Sequence, residues 1–80
     1  MRVRFFGLLA DLAGRERALD WPGEGGTVAA LIERLGAEAG LGAALAGPGV
    51  RTCVGRDFVG PEQWLAGDEI VEFWPPVSGG

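Results

Sequence analysis

The 80-residue sequence has no histidine and no lysine, and its one cysteine is Cys53. Without histidine the chain lacks the commonest metal ligand and the commonest general base near neutral pH. A single cysteine excludes an internal disulfide and a cysteine-rich metal site. The seven basic residues are all arginine: Arg2, Arg4, Arg15, Arg17, Arg34, Arg51 and Arg56. Compositional bias accounts for that usage, yet it has a chemical consequence. The chain offers no ε-amine, so its one expected primary amine is the N-terminus. Cations are also in the minority. A net charge of −4 and a pI near 4.6 argue against nucleic-acid binding and favour a basic partner surface. No apolar run reaches the roughly 20 residues that span a bilayer. No basic-then-apolar leader with a small-residue cleavage site opens the sequence. These absences predict a cytoplasmic protein with neither membrane nor nucleic acid among its partners.

What is present suffices for one domain. A chain of this length buries about 60% of its surface on folding, and 48% of its residues are hydrophobic. Arg2-Val3-Arg4-Phe5 alternates with the period of a half-buried strand, with Val3 and Phe5 facing the core. Phe6 then falls on the arginine face, unless the strand bends there. Residues 8–13 read as a short helix stopped by Gly14. Residues 16–21 alternate again and predict a second strand ended by Pro22. Thr27 is a candidate N-cap. Val28, Leu31, Ile32 and Leu35 come after it at helical spacing, which predicts the main amphipathic helix, weakening near Gly36. Residues 41–49 suggest one helical turn and a loop. Residues 51–54 and 58–59 predict two strands around a tight turn at Gly55-Arg56-Asp57. Trp64 or Leu65 then plugs the core, Gly67-Asp68 turns the chain, and residues 69–74 form the last strand.

This order, with one main helix among unevenly spaced strands, excludes a doubly wound sheet. It predicts an α+β fold of the β-grasp type: one mixed sheet with one main helix packed across it over residues 1–74, and then an extended tail over residues 75–80.

The tail carries the clearest functional signal. Pro75 and Pro76 lack amide hydrogens, end the strand and stiffen the root of the tail. Gly79 and Gly80 carry no side chain, so the end fits a channel too narrow for other residues. The candidate reactive group is the α-carboxylate of Gly80. A carboxylate is a poor electrophile, but a mixed anhydride with AMP would expose its carbonyl carbon to a sulfur or nitrogen nucleophile.

The residues Val3-Arg4-Phe5-Phe6, Thr27-Val28, Gly67-Asp68-Glu69 and Phe73-Trp74-Pro75-Pro76-Val77-Ser78-Gly79-Gly80 together resemble the small subunits of molybdopterin synthase. These belong to the ubiquitin-like sulfur carriers, which also include the thiazole sulfur carriers. The double proline before the diglycine favours the molybdopterin branch. One departure stands out: residues 69–74 are one more than the pattern leads us to expect, which a bulge or a shifted turn near Ile70 would absorb.

The resemblance implies a mechanism. An ATP-dependent activating enzyme, similar to those of ubiquitin, adenylates Gly80. A sulfur donor protein converts the carboxylate to a thiocarboxylate. Val77, Ser78 and Gly79, with Pro75 and Pro76, thread the tail into the large synthase subunit, and sulfur passes to cyclic pyranopterin monophosphate. The implied assembly is a heterotetramer of two small and two large subunits. This chain binds no cofactor itself, and ATP and any metal belong to the partners.

Phe6, Phe58 and Trp74 are expected to form an apolar docking patch beside the tail, matching positions the family uses; alternatively, one or two of them fill the core. Cys53, mid-strand, reads as core filler rather than a persulfide carrier. Asp68-Glu69 and Asp57 with Glu72 read as a solvated face or contacts to partner arginines, not as acid–base machinery. Three other readings stay open. The thiocarboxylate could serve thiazole or tRNA thiolation. Gly80 could be conjugated to target lysines as a protein modifier. Or the chain could be a plain binding module with an idle tail.

Overall fold

Val3 and Phe5 are 0% and 2% exposed, while Arg2 and Arg4 stand on the opposite face of their strand. That alternation sets the orientation of everything else in the computed structural model, which describes residues 1–38 and 40–76. The strand, β1 (Arg2–Phe5), runs into a short helix, α1 (Leu8–Ala13), and returns as β2 (Glu16–Ala18). The chain then passes through β3 (Gly26–Thr27), the main helix α2 (Val28–Leu35) and a helical turn α3 (Leu41–Leu45). It continues as β4 (Arg51–Val54), β5 (Asp57–Val59), β6 (Trp64–Leu65) and β7 (Ile70–Trp74). Five strands form one mixed sheet in the order β2-β1-β7-β4-β5. β1 and β7 are neighbours within it and run parallel, whereas the other pairs are antiparallel.

α2 packs across one face of the sheet. Its Val28, Leu31 and Leu35 join Val3, Phe5, Val71 and Phe73 in a single apolar cluster, closed at the ends by Leu9, Ala13, Leu41 and Leu45. The Thr27 hydroxyl accepts from the Ala30 amide at 3.2 Å and starts the helix as expected. The helix ends at Gly36 for a packing reason beyond weak propensity. A Cβ on Gly42 would meet the Gly36 carbonyl oxygen at 2.9 Å, so α2 and α3 approach each other through two glycines. This is the β-grasp arrangement that the element order predicts.

Four local readings change. β2 stops at Ala18 rather than running to Trp21. Beyond it the Trp21 indole donates to the Leu65 carbonyl at 3.0 Å and Arg34 donates to the Asp20 carbonyl, so the chain leaves the sheet toward α2 and β6. Leu65 is the core plug, at 0% exposure, and Trp64 lies outside. The two residues also pair with Gly26 and Thr27 in a second, two-stranded sheet. The expected irregularity near Ile70 is absent from the last strand. β7 alternates regularly, with Val71 and Phe73 inward and Ile70 outward, and pairs with β1 residue for residue from Ile70 to Phe73. Glu69 sits before it as a turn clamp, its carboxylate accepting from the Ala66 and Gly67 amides, each at 2.7 Å. Burial pushes the Glu69 carboxyl up, but backbone amides of residues 66–69, Ala66 and Gly67 foremost, together outweigh it and hold it below the ordinary carboxyl value.

Candidate functional site: the tail root and the outer sheet face

Because β1 and β7 are parallel, Phe6 and Trp74 leave the sheet at the same end. Both continue the outward parity of their strands. Their rings stack with centroids 4.1 Å apart and an interplanar angle of 11°. A stacked aromatic pair of this kind contributes about 0.5–1.5 kcal/mol beyond its buried area. Trp74 remains 39% exposed. The next strand extends the row, since Arg51 on β4 lies directly opposite Trp74. Its guanidinium covers the Phe58 ring on β5, 3.9 Å from the centroid. Phe58 is 51% exposed. Phe6, Trp74, Arg51 and Phe58 thus form one line across three strands and the end of β1. Strand parity alone brings together the three aromatics that the sequence singles out. Arg51 carries no such signal in the sequence, although its position two residues before Cys53 gives it the same parity.

The far half of this face is ionic. Arg2 and Arg4 donate to the two oxygens of Glu16 at 2.6 and 2.9 Å, and Arg4 also reaches Glu72 at 3.9 Å. The hydrogen bond from Arg4 is the largest influence on the Glu16 carboxyl, and with that from Arg2 it holds the group below its ordinary value against the opposing effect of burial.

Cys53 lies on this outer face too, paired with Glu72 on one side and Phe58 on the other. It is buried, but beneath outer-face neighbours rather than in the core cluster. Burial pushes its thiol up, and the Glu72 and Asp57 carboxylates push in the same direction. A thiol held protonated and covered is a poor nucleophile.

The tail root is seated rather than loose. Pro75 lies against Gly7, where an added Cβ would stand 2.8 Å from the proline ring. Pro76 lies against Gly49, where an added Cβ would stand 2.7 Å from it. Both glycines have positive φ, 59° and 82°. Each therefore supplies a backbone turn that other residues resist and a surface into which a proline fits. Around them Leu8, Leu9, Pro48 and Val50 line an apolar trough of about 350 Å³. Leu8 and Leu12, one turn apart on α1, are 77% and 56% exposed beside it. Val77, Ser78, Gly79 and Gly80, the threading and reactive positions expected from the sequence, lie outside the described residues.

Among the described residues no three histidine, cysteine, aspartate or glutamate side chains gather as metal ligands would, and no helix is long and apolar enough to cross a membrane. What this end of the molecule presents is an aromatic row, a proline-stiffened exit and the strand that feeds it.

A family model described as the ThiS family matches residues 3–80. The chain belongs to the ThiS family. It is a ubiquitin-like sulfur carrier of that family, and such carriers work with activating enzymes and partner subunits. Among solved structures the chain is similar to the crystal structure of SAMP1 from Haloferax volcanii. The two share 23% identity with a TM-score of 0.75, covering 99% of this chain and 97% of that one. That likeness bears on the fold, and it supports the β-grasp assignment along the whole ThiS-family chain. No curated protein sequence matches it significantly.

Proposed function

We propose that this ThiS-family chain is the sulfur-carrying small subunit of a molybdopterin synthase, loaded at the carboxylate of Gly80. A carboxylate oxygen of Gly80 attacks the α-phosphorus of ATP on the activating enzyme, and pyrophosphate leaves. The terminal sulfur of a donor protein's cysteine persulfide attacks the resulting acyl carbon, and AMP leaves; a second thiol then attacks the donor's sulfur, forming a disulfide with it and breaking the acyl disulfide's S–S bond, which frees the thiocarboxylate. The thiocarboxylate then enters the large subunit and gives its sulfur to cyclic pyranopterin monophosphate. The chain binds no cofactor in this cycle, because ATP is held by the activating enzyme. Gly79, Ser78, Val77, Pro76 and Pro75 thread the channel, while Phe6, Phe58 and Trp74 dock the body against each partner in turn.

The observation that carries this reading is the segment Phe73-Trp74-Pro75-Pro76-Val77-Ser78-Gly79-Gly80, set on a strand whose last aromatic stacks on Phe6 beside the exit. The prolines suit the task because Gly7 and Gly49 seat them, which fixes the root of the tail against the body. Fixing it beforehand lowers the entropy that a partner's channel must offset.

Reconstitution tests the acceptor. Thiocarboxylated chain mixed with the large subunit and the pterin precursor should yield molybdopterin, with the tail returning to a carboxylate. Sulfur transfer to a thiazole precursor or tRNA instead would move the chain to another branch of sulfur carriers. A tryptic remnant of residues 57–80 on other proteins' lysines would mark it as a modifier.

A further inference from the structure

We propose that Arg51 is the specificity-determining cation of the docking face, and that it reads a carboxylate on the ATP-dependent activating enzyme. This rests on the sulfur-carrier reading and adds the chemistry by which that partner is chosen.

The outer sheet face carries three arginines on β1 and β4. Arg2 and Arg4 are neutralised by Glu16 and Glu72. Arg51 has no such neighbour: among the described residues no carboxylate lies within salt-bridge distance of it. Its guanidinium lies over Phe58 instead. A guanidinium held over an aromatic ring in this way keeps its N–H donors for a further partner. Arg51 is thus a positive charge left unneutralised inside the aromatic row of a molecule whose net charge is −4. Net charge alone favours a basic partner surface, whereas the charge beside the tail calls for an acidic contact.

Position turns this surplus into a requirement. Arg51 stands between Trp74 and Phe58, the two half-exposed aromatics that a docking partner would cover. Covering them removes water from the guanidinium as well. A desolvated charge without a counter-charge is costly, so an apolar or basic surface placed there is rejected. A carboxylate matches the planar fork and can accept two parallel N–H bonds. Whichever acceptor finally takes the sulfur, activation comes first, so the activating enzyme is the partner that must pick this chain out. A single guanidinium inside an aromatic row performs that selection.

The test is the affinity of the full chain for the activating enzyme of its own host, measured calorimetrically at low and at physiological salt. Arg51→Ala should weaken binding roughly tenfold and flatten its salt dependence, and Arg51→Glu should weaken it further. Arg51→Lys, keeping the charge but losing the plate, should fall between Arg51→Ala and the parent chain. Arg56→Ala, which removes an exposed cation in the β4–β5 turn, should leave affinity within about twofold. Thermal melts accompany each variant. If Arg51→Glu does not fold, Arg51→Ala and Arg51→Lys carry the comparison. Undiminished binding by the Arg51 variants, with Trp74→Ala still weakening it, overturns the role of Arg51 and leaves the carrier reading in place. No binding by the parent chain overturns both.

Discussion

Gly7 and Gly49 do two jobs with one absent atom. Each adopts a positive φ, and each leaves room for a proline of the tail root. Gly40, left-handed with φ 82°, makes a similar backbone demand but has nothing within 4 Å of an added Cβ. The pair separates strain from seating. Gly49→Ala and Gly40→Ala should lower the melting temperature to similar degrees, since a left-handed L-residue costs about 1–2 kcal/mol. Gly49→Ala alone should also reduce kcat/KM for adenylation of Gly80, by roughly tenfold, through a misdirected tail. Equal activity in the two variants would show that the glycine seat does not direct the tail. Glu69 acts at the same scale, with a carboxyl depressed by the backbone amides of its turn. A depressed carboxyl stabilises the fold above the ordinary value of 4.5 and loses that contribution as pH falls through its own lower value. Glu69→Gln should therefore melt a few degrees lower at neutral pH. The gap should narrow steadily as a melting series descends below pH 4.5.

At the scale of the element, α2 depends on its cap. Thr27→Ala removes the acceptor for the Ala30 amide and should cost about 1 kcal/mol. In a domain of this size that lowers the melting temperature by roughly 4–8 °C, while Thr27→Ser should restore most of the loss. The elements also show what a sequence can carry. β1, α2 and the β4–β5 hairpin are legible because each repeats its own period over several residues with a local start or stop. The aromatic row comes from the same parity, since Phe6 and Trp74 take outward positions in the alternation that Val3, Phe5, Val71 and Phe73 set. β3 and β6 are not legible. Each has two residues, too few for a period, and their pairing joins positions far apart in the chain. The end of β2 is hidden for a related reason, because contacts from Leu65 and Arg34 draw Trp21 and Asp20 away from the sheet. Arg51 is visible as a letter but not as a site. Its meaning comes from Trp74 on one neighbouring strand and Phe58 on the other. The strand position of Cys53 reads as core filler, yet its parity places it beneath the outer face, where carboxylates rather than leucines influence its thiol.

On the scale of the whole molecule, one topological fact organises the function. The parallel pairing of β1 and β7 sends Phe6, the start of α1 and the tail root to one end of the sheet. In the proposed reading docking surface and delivery arm are therefore neighbours, and the core behind them is an apolar cluster. In that reading the body supplies grip and direction, and its partners supply nucleotide, sulfur and acceptor. On this account the chemistry of the chain resides in the carboxylate of Gly80. The most direct test is the intact mass of the chain after incubation with the activating enzyme, ATP and a sulfur donor. The predicted result is a gain equal to the exchange of one oxygen for sulfur, abolished by deletion of Gly80 and unaffected by Cys53→Ser. An unchanged mass, from an activating enzyme that loads another carrier in the same mixture, would contradict it.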